Sequence, residues 1–220
     1  MESFIFASHF LIMRITIAAN NDQKLAFETK GIADGAIITW VKTSQALYEQ
    51  TGADALIDCL FDGNTNISTT KPLLINACHV TLAQLNLHGP VARFCCWNGF
   101  IERPLWEMAV AENTDPQWLQ NLMAATGWAF ELVQDQPGLI APRVISTIVN
   151  EAFFALQENI STKKEIDTAM KLGTNYPLGP FEWSDKLGLV NIYTLLTILS
   201  GEDKRYLPCE EMKKQLYQTT

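Results

Sequence analysis

Residues 137–189 read PGLIAPRVISTIVNEAFFALQENISTKKEIDTAMKLGTNYPLGPFEWSDKLGL, and the spacing of apolar side chains here decides the fold of the second half of the chain. The first part predicts a long helix, because apolar residues recur at the three- and four-residue spacing of one helix face. These are Val144, Ile145, Ile148, Val149, Ala152, Phe153 and Leu156. A second helix is predicted from the capping box formed by Thr162 and Glu165. We expect it to end at Gly173, two residues after the basic Lys171.

Two further signals extend the helical region towards the C-terminus. Pro177, Gly179 and Pro180 predict a rigid turn between helices. The apolar run 189–199, followed by Gly201, predicts another helix. Isolated helix pairs cannot bury apolar faces this broad. We therefore expect the region to pack against the first half of the chain, against a second copy of itself, or both.

The first half of the chain shows short apolar runs without helical periodicity. These runs are residues 15–19, 37–41, 55–61, 73–77, 91–97 and 130–133. They predict buried strands of a mostly parallel sheet. Helical patterns at residues 23–29 and 44–50 lie between the strands, and this alternation is typical of a doubly wound α/β domain.

A further helix and a boundary complete the first half. Thr114 and Gln117 form a second capping-box pattern, and Gly127 lies where a helix C-cap belongs. After the last strand, the turn-forming residues 135–138 interrupt the pattern. We therefore predict two domains, an α/β domain of residues 13–136 and an all-α domain of residues 137–220.

Composition excludes several classes of partner. The 220-residue chain is 48% hydrophobic, carries a formal net charge of -8, and has only sixteen scattered Lys and Arg residues, which argues against a nucleic acid partner. Five irregularly spaced cysteines favour a reduced interior and a cytoplasmic location. The opening MESFIFASHFLI is too short for a membrane span and lacks the basic start of a signal peptide, so no membrane partner is expected. Translation from Met13 would fit the first strand as well as translation from Met1.

The helical region carries a specific string: IDTAMKLG at residues 166–173, YPLGPFE at residues 176–182, then Asp185 and Gly188. In this string the chain resembles the C-terminal domain of the 3-hydroxyacyl-CoA dehydrogenases. The resemblance implies a Rossmann-like parallel sheet domain, here reduced in length, followed by the helical domain. It also implies NAD as cofactor, an acyl-CoA ligand, a role in fatty-acid metabolism, and a homodimer formed through the helical domain.

The resemblance also places the family's active-site positions on this sequence. In the family a histidine takes the hydroxyl proton and a glutamate twelve positions on orients it; here these positions are Cys95 and Glu107. The substrate-binding serine corresponds to Cys78, and an asparagine at the start of the helical domain corresponds to Pro142. A thiol has a higher pKa than imidazole and cannot relay a proton between two ring nitrogens. Only Glu107 matches, either as a surviving catalytic carboxylate or as a charged residue at a strand end.

The cofactor turn departs from the family as well. A dinucleotide fold needs a glycine-rich turn after its first strand, whereas this chain has Asn20, Asn21 and Asp22 there. We therefore predict a 3-hydroxyacyl-CoA dehydrogenase-like protein with impaired or lost NAD-dependent oxidation and a residual acyl-CoA-binding or assembly role. One alternative is an active oxidoreductase that uses Glu107. The other is a purely structural homodimer or partner subunit.

Several other side chains suggest metal binding, nucleophilic catalysis or anion binding. Cys78, His79, Cys95 and Cys96 suggest zinc, but neighbours on a strand point to opposite faces, so we predict no metal site. For the same reason His79 should face away from Cys78 if the strand continues, which argues against a cysteine nucleophile. Arg143 could hold a phosphate or carboxylate. A structural ion pair is the preferred role for it, with Asp135 or Glu151 as partner.

Overall fold

A seven-stranded sheet forms the centre of the first half. The computed structural model describes residues 12–64, 66–67 and 69–218, so the predictions on the opening segment lie almost wholly outside the described residues. The strands are β1 (Met13–Ala18), β2 (Ala36–Val41), β3 (Ala55–Asp58), β4 (Leu73–Asn76), β5 (Val91–Phe94), β6 (Leu105–Val110) and β7 (Ala129–Leu132). They lie in the order β2-β1-β3-β4-β5-β6-β7. The first five are parallel, β6 runs antiparallel to β5, and β7 is parallel to β6.

Helices cover the sheet and form the second half. Those of the first half are α1 (Asn21–Lys30), α2 (Ser44–Tyr48) and α3 (Gln117–Thr126). Those of the second half are α4 (Ala141–Gln157), α5 (Lys163–Thr174), α6 (Pro180–Leu187), α7 (Leu189–Ser200) and α8 (Glu210–Gln218), with a 3-10 turn at Lys204–Tyr206. A Rossmann-like sheet followed by an all-helical region confirms the predicted fold class.

Strand β6 is the one strand of the sheet that the apolar runs did not predict. Its sequence, LWEMAV, places Glu107 in the middle of an otherwise apolar segment, so no continuous apolar run marks it. Glu107 is therefore not at a strand end, as one interpretation had it. It lies within β6, opposite Glu131 of β7.

The predicted helix ends are confirmed in two cases. Thr162 and Glu165 form the capping box at the start of α5. Gly127 ends α3 with a φ of 72°, in the left-handed region that glycine adopts without strain. The end predicted at Gly173 is wrong by one residue, because α5 continues to Thr174 and Asn175 takes the left-handed cap conformation with a φ of 57°.

The predicted cap at Thr114 is wrong. Helix α3 begins after Pro116 and has no side-chain cap of its own. The Thr114 hydroxyl instead donates a hydrogen bond to the carbonyl of Gly89, at 2.8 Å, and Asp115 accepts from the backbone N–H of Gln117. Pro at the start of a helix needs no donor partner for its nitrogen, so the helix starts without the predicted box.

Three apolar clusters hold the elements together, and two of them bear on the arrangement of the two halves. One lies under α1 and α3 and contains an aromatic group with ring centroids 4.8–5.8 Å apart. Its rings are Phe27, Trp40, Trp106 and Trp128. The other joins the ends of β4 and β5 to helices α4, α6 and α7, and it contains Trp97 and Phe100 as well as Phe153 and Leu195. The helical half thus packs against the first half, which is one of the alternatives that its broad apolar faces left open.

None of the helices in the described part of the chain combines the length and apolar character that a membrane crossing requires.

Candidate functional site

The carboxyl ends of β3, β4 and β5 open onto a crevice of about 760 Å³. The helical half closes it from the other side through the end of α6 and the first turns of α7. Its polar and aromatic lining includes Asn76, His79, Trp97, Asn98, Asp185 and Asn191. In open α/β sheets ligands bind in the crevice beyond the carboxyl ends of the strands, so this is the candidate functional site.

Asn76, the last residue of β4, fixes the edge of the crevice. Its side-chain N–H₂ donates to the carbonyl of Cys59 at 3.4 Å, and its side-chain oxygen accepts from the N–H of Cys96 at 3.0 Å. One amide therefore ties the end of β3 to the end of β5 across β4. Because both the nitrogen and the oxygen of the amide are engaged, the Asn76 side chain is held in place and shapes the crevice wall.

The four positions carried over from the family lie close together. Cys95, Glu107 and Pro142 line a narrow space of about 10 Å³, room for a single water at most. The Cys78 thiol interacts with that of Cys95, and burial, followed by this neighbour, raises the pKa of Cys78. The chain thus brings these positions together, with Cys78, Cys95 and Pro142 buried. A raised pKa keeps Cys78 as the poorly nucleophilic thiol.

Glu107 caps a helix from a distance. Its carboxylate accepts hydrogen bonds from the backbone N–H groups of Ile140, at 2.8 Å, and Ala141, at 2.9 Å, which lie at the start of α4. Arg103 approaches the same carboxylate at 3.5 Å, and the glutamate side chain is only 10% exposed. A carboxylate at a helix N-terminus satisfies unpaired donors and complements the helix dipole.

The N-terminus of α1 is closed by its own residues. The Asn20 side chain accepts from the N–H of Gln23 at 2.8 Å, and the Gln23 side chain accepts from the N–H of Asn20 at 3.0 Å. The same Gln23 amide donates to the carbonyl of Cys59, at 3.1 Å. A small cavity of about 180 Å³ lies beside this turn, and the charged residues that line it are Asp22 and Glu102. This helix end therefore presents engaged amides and carboxylates.

His79 lines the same crevice as Cys78, whereas alternation along a continuing strand would point the two side chains to opposite faces. Strand β4 ends at Asn76 and the backbone bends at residues 78–80, so the condition that the strand continues is not met. Cys78 and His79 both line the crevice. The His79 ring packs against Trp97, with centroids 5.4 Å apart, and its Nε2 lies 3.0 Å from the carbonyl oxygen of Asn191. Burial lowers the pKa of His79 below its usual value.

The cysteines separate as the strand alternation predicts. Cys95 belongs to the cluster beneath the helical half, whereas Cys96 belongs to the cluster beneath α1 and α3. All five cysteines of the chain are free and buried. Within the described ranges, no three His, Cys, Asp or Glu side chains are grouped so that they could hold a metal ion.

Arg93 is the structurally important arginine that the sequence analysis missed. It is fully buried and forms an ion pair with Asp135, while its other nitrogens donate to the carbonyls of Ala77 and Gln136. The pairing predicted for Arg143 is therefore wrong, because Asp135 is bound to Arg93 and Glu151 forms no ion pair with Arg143 in the described part of the chain. Arg143 instead donates to the carbonyl of Pro137 at 2.8 Å. A charge within the apolar run 91–97 was the available signal for a buried partner.

Comparison of the sequence with known proteins identifies proteins that it resembles. Residues 138–219 match the C-terminal domain of 3-hydroxyacyl-CoA dehydrogenase. Over 85 residues the chain is 40% identical to 3-hydroxyadipyl-CoA dehydrogenase from Escherichia coli, a match that covers 38% of this chain and 18% of that protein. Over 199 residues it is 26% identical to a probable 3-hydroxybutyryl-CoA dehydrogenase from Bacillus subtilis, covering 81% of this chain and 69% of that protein.

The fold extends the similarity to nearly the whole chain. The crystal structure of (S)-3-hydroxybutyryl-CoA dehydrogenase from Ralstonia eutropha superposes with a TM-score of 0.73 at 18% sequence identity, covering 94% of each chain. The sheet and the helical half are thus shared in the order seen in that structure. Together, the match of the C-terminal region, the sequence similarity over most of the chain and the shared fold support membership of the 3-hydroxyacyl-CoA dehydrogenase family.

Proposed function

We propose that this protein binds an acyl-CoA-type ligand in the crevice and has impaired or lost NAD-dependent oxidation. In this proposal it acts in fatty-acid metabolism in the cytoplasm, with residues 13–136 as the reduced nucleotide-fold domain and residues 137–220 as the helical domain. The observation that carries the proposal is the contrast between an open crevice of about 760 Å³ and a cofactor turn closed by its own side chains. The free cysteines suit a reduced compartment.

The residues at the first turn do not fit a dinucleotide. A pyrophosphate binds at a helix N-terminus through free backbone N–H groups and a favourable dipole. Here Asn20 and Gln23 occupy each other's backbone N–H groups, and Asp22 adds a negative charge in the first turn of α1. Glu102 adds a second carboxylate beside the turn. Binding of NAD would place phosphate next to these charges, at a helix end where two backbone N–H groups are already bonded.

The positions corresponding to the catalytic residues support the same proposal. Cys95 lines a narrow space of about 10 Å³, too small for an acyl substrate. Both oxygens of Glu107 lie within hydrogen-bonding distance of α4 backbone N–H groups, so a role as a base acting through water would compete with the helix cap. These contacts make the alternative of an active oxidoreductase using Glu107 the weaker one.

A second function, as a homodimer or partner subunit, is supported by α5. This helix has an apolar and a polar face but buries none of its residues in the single chain. Leu172 on α5 is 83% exposed, and Ile160 just before it is 69% exposed. Leaving such side chains in water costs free energy that a protein partner would recover. This assembly role is compatible with ligand binding in the crevice.

Calorimetric titration with NADH and with acetoacetyl-CoA, combined with an assay of NADH oxidation, tests the proposal. We expect acetoacetyl-CoA to bind, NADH not to bind, and no turnover. NADH binding together with turnover would contradict the proposal and support the active oxidoreductase. Binding of neither ligand would leave only the assembly role.

A matched pair of variants on α7 locates the binding. Thr194 lines the crevice and Thr197 lies exposed on the same helix. We expect Thr194→Trp to abolish acetoacetyl-CoA binding by filling the crevice, whereas Thr197→Trp should bind like the unmodified protein. Equal binding by both variants would move the ligand out of the crevice.

A further inference from the structure

We propose that His79 recognises the ligand in the crevice, accepting a hydrogen bond at Nδ1 from the 3-hydroxyl group of a 3-hydroxyacyl thioester. The inference rests on the proposed function, because it assigns a recognition residue to the same crevice. It concerns a histidine sixteen positions upstream of Cys95, the position that corresponds to the family's histidine.

The tautomer of His79 follows from its hydrogen bond. A backbone carbonyl can only accept, so the Nε2 atom that lies 3.0 Å from the oxygen of Asn191 must carry the proton. In the neutral ring the other nitrogen, Nδ1, then holds a lone pair and accepts. Because burial favours the neutral form by lowering the pKa, Nδ1 remains an acceptor at pH 7.5.

Nδ1 is also accessible from the crevice. The side-chain polar atoms that are both buried and unpaired among the described residues belong to Trp118, Ser146 and Trp183. The His79 Nδ1 atom has no hydrogen bond to any described residue and is not among these buried atoms. Since His79 lines the crevice, its open nitrogen is available to a bound molecule.

The ring is held in a fixed orientation. The Asn191 carbonyl holds one end, and the packing against Trp97 restricts rotation of the imidazole plane. Asn191 lies in the first turn of α7, so the histidine joins the sheet half to the helical half across the crevice. A fixed acceptor loses little conformational entropy on binding, so most of the free energy of the new hydrogen bond contributes to the affinity for the ligand.

This arrangement predicts a preference for one oxidation state of the ligand. A 3-hydroxyl group donates to Nδ1, whereas the 3-oxo group of the oxidised ligand offers only lone pairs to another lone pair. A ligand that lacks oxygen at position 3 makes no hydrogen bond there. We therefore expect 3-hydroxybutyryl-CoA to bind about three- to tenfold more tightly than acetoacetyl-CoA or butyryl-CoA, the range of one neutral hydrogen bond.

The test measures the affinities of these three thioesters by calorimetry for the unmodified protein and two variants. His79→Phe keeps an aromatic ring against Trp97 but removes both nitrogens, so all three ligands should bind equally. His88→Phe is the matched control, because His88 is exposed and bonds only to Asn86 among the described residues. It should keep the full preference. Thermal unfolding of each variant verifies that it is folded.

The outcomes separate this inference from the proposed function. If the three thioesters bind the unmodified protein equally, or if the preference survives in His79→Phe, the role of His79 is wrong while ligand binding stands. If no thioester binds, both are wrong. Should His79→Phe fail to fold, ¹⁵N NMR of the unmodified protein decides: the Nδ1 signal should move with 3-hydroxybutyryl-CoA and remain unchanged with butyryl-CoA.

Discussion

The N-termini of α1 and α4 are both closed by side chains, but in different ways. Helix α1 is capped from within its first turn, by Asn20 and Gln23 three residues apart. Helix α4 is capped by Glu107, which lies in strand β6, 33 residues before Ile140. A local cap needs only the helix to form, whereas a remote cap also needs the sheet and the connecting loop in place. The difference indicates that α4 depends on the tertiary structure at its N-terminus and α1 does not.

The largest expected effect comes from breaking the support of the remote cap. Arg93 is fully buried and holds the loop before α4 through Asp135 and the carbonyl of Gln136. Arg93→Met leaves Asp135 without its cation and two carbonyl groups without their donor. We expect a loss of about 3–5 kcal/mol in the free energy of unfolding, measured by urea denaturation.

Arg103→Met is the control for the arginine variant. Arg103 is 35% exposed and only approaches Glu107 at 3.5 Å, so its loss should cost less than about 1 kcal/mol. A loss as small for Arg93→Met would mean that the loop before α4 does not need its buried ion pair.

The remote cap itself gives the next largest effect. Glu107→Ala removes the acceptor of two backbone N–H groups at the start of α4, and we expect a loss of about 2 kcal/mol in stability. Glu107→Gln keeps one acceptor oxygen and should lose less. Glu131→Ala, at the exposed position directly opposite on β7, should change stability by no more than about 0.5 kcal/mol. Equal losses at residues 107 and 131 would exclude the capping role.

The local cap should be weaker. Asn20→Ala removes the acceptor for the N–H of Gln23, and we expect a loss of about 1 kcal/mol in urea denaturation. Asn20→Gly should cost only a few tenths of a kcal/mol, because glycine tolerates the cap position and lets water reach the backbone N–H. If Asn20→Ala destabilises more than Glu107→Ala, the order of the local and remote caps is reversed.

The same distinction explains what the sequence could predict. Periodic apolar residues and the family string predicted the fold class, and the local pattern at Thr162 predicted a cap that the structure confirms. Remote contacts left no such pattern. Glu107 interrupts the apolar run of β6, and its partners are backbone N–H groups that any sequence could supply. Arg93 likewise binds carbonyl groups and a carboxylate 42 residues away.

The residues of the candidate site also differ in whether the sequence alone could identify them. The resemblance identified Cys78 and Cys95, and the structure brings them together because β4 and β5 are adjacent and parallel. It did not identify His79 as a residue of the crevice, because that depends on where β4 ends. Strand ends are set by competition between backbone pairing and the following bend, which residue types near position 79 do not determine.

The smallest expected effect compares two capping-box patterns, one that ends in Glu and one that ends in Gln. Thr162 and Thr114 each lie three residues before a Glu or Gln, but only Thr162 caps a helix, accepting from the N–H of Glu165. Thr162→Ala should therefore cost about 1 kcal/mol, whereas Thr114→Ala loses one exposed hydrogen bond to Gly89 and should cost about 0.5 kcal/mol or less. Urea denaturation of the two variants gives both values. Equal losses would mean that the pattern stabilises α3 in solution despite Pro116, and that local sequence alone determines this helix start as it does for α1.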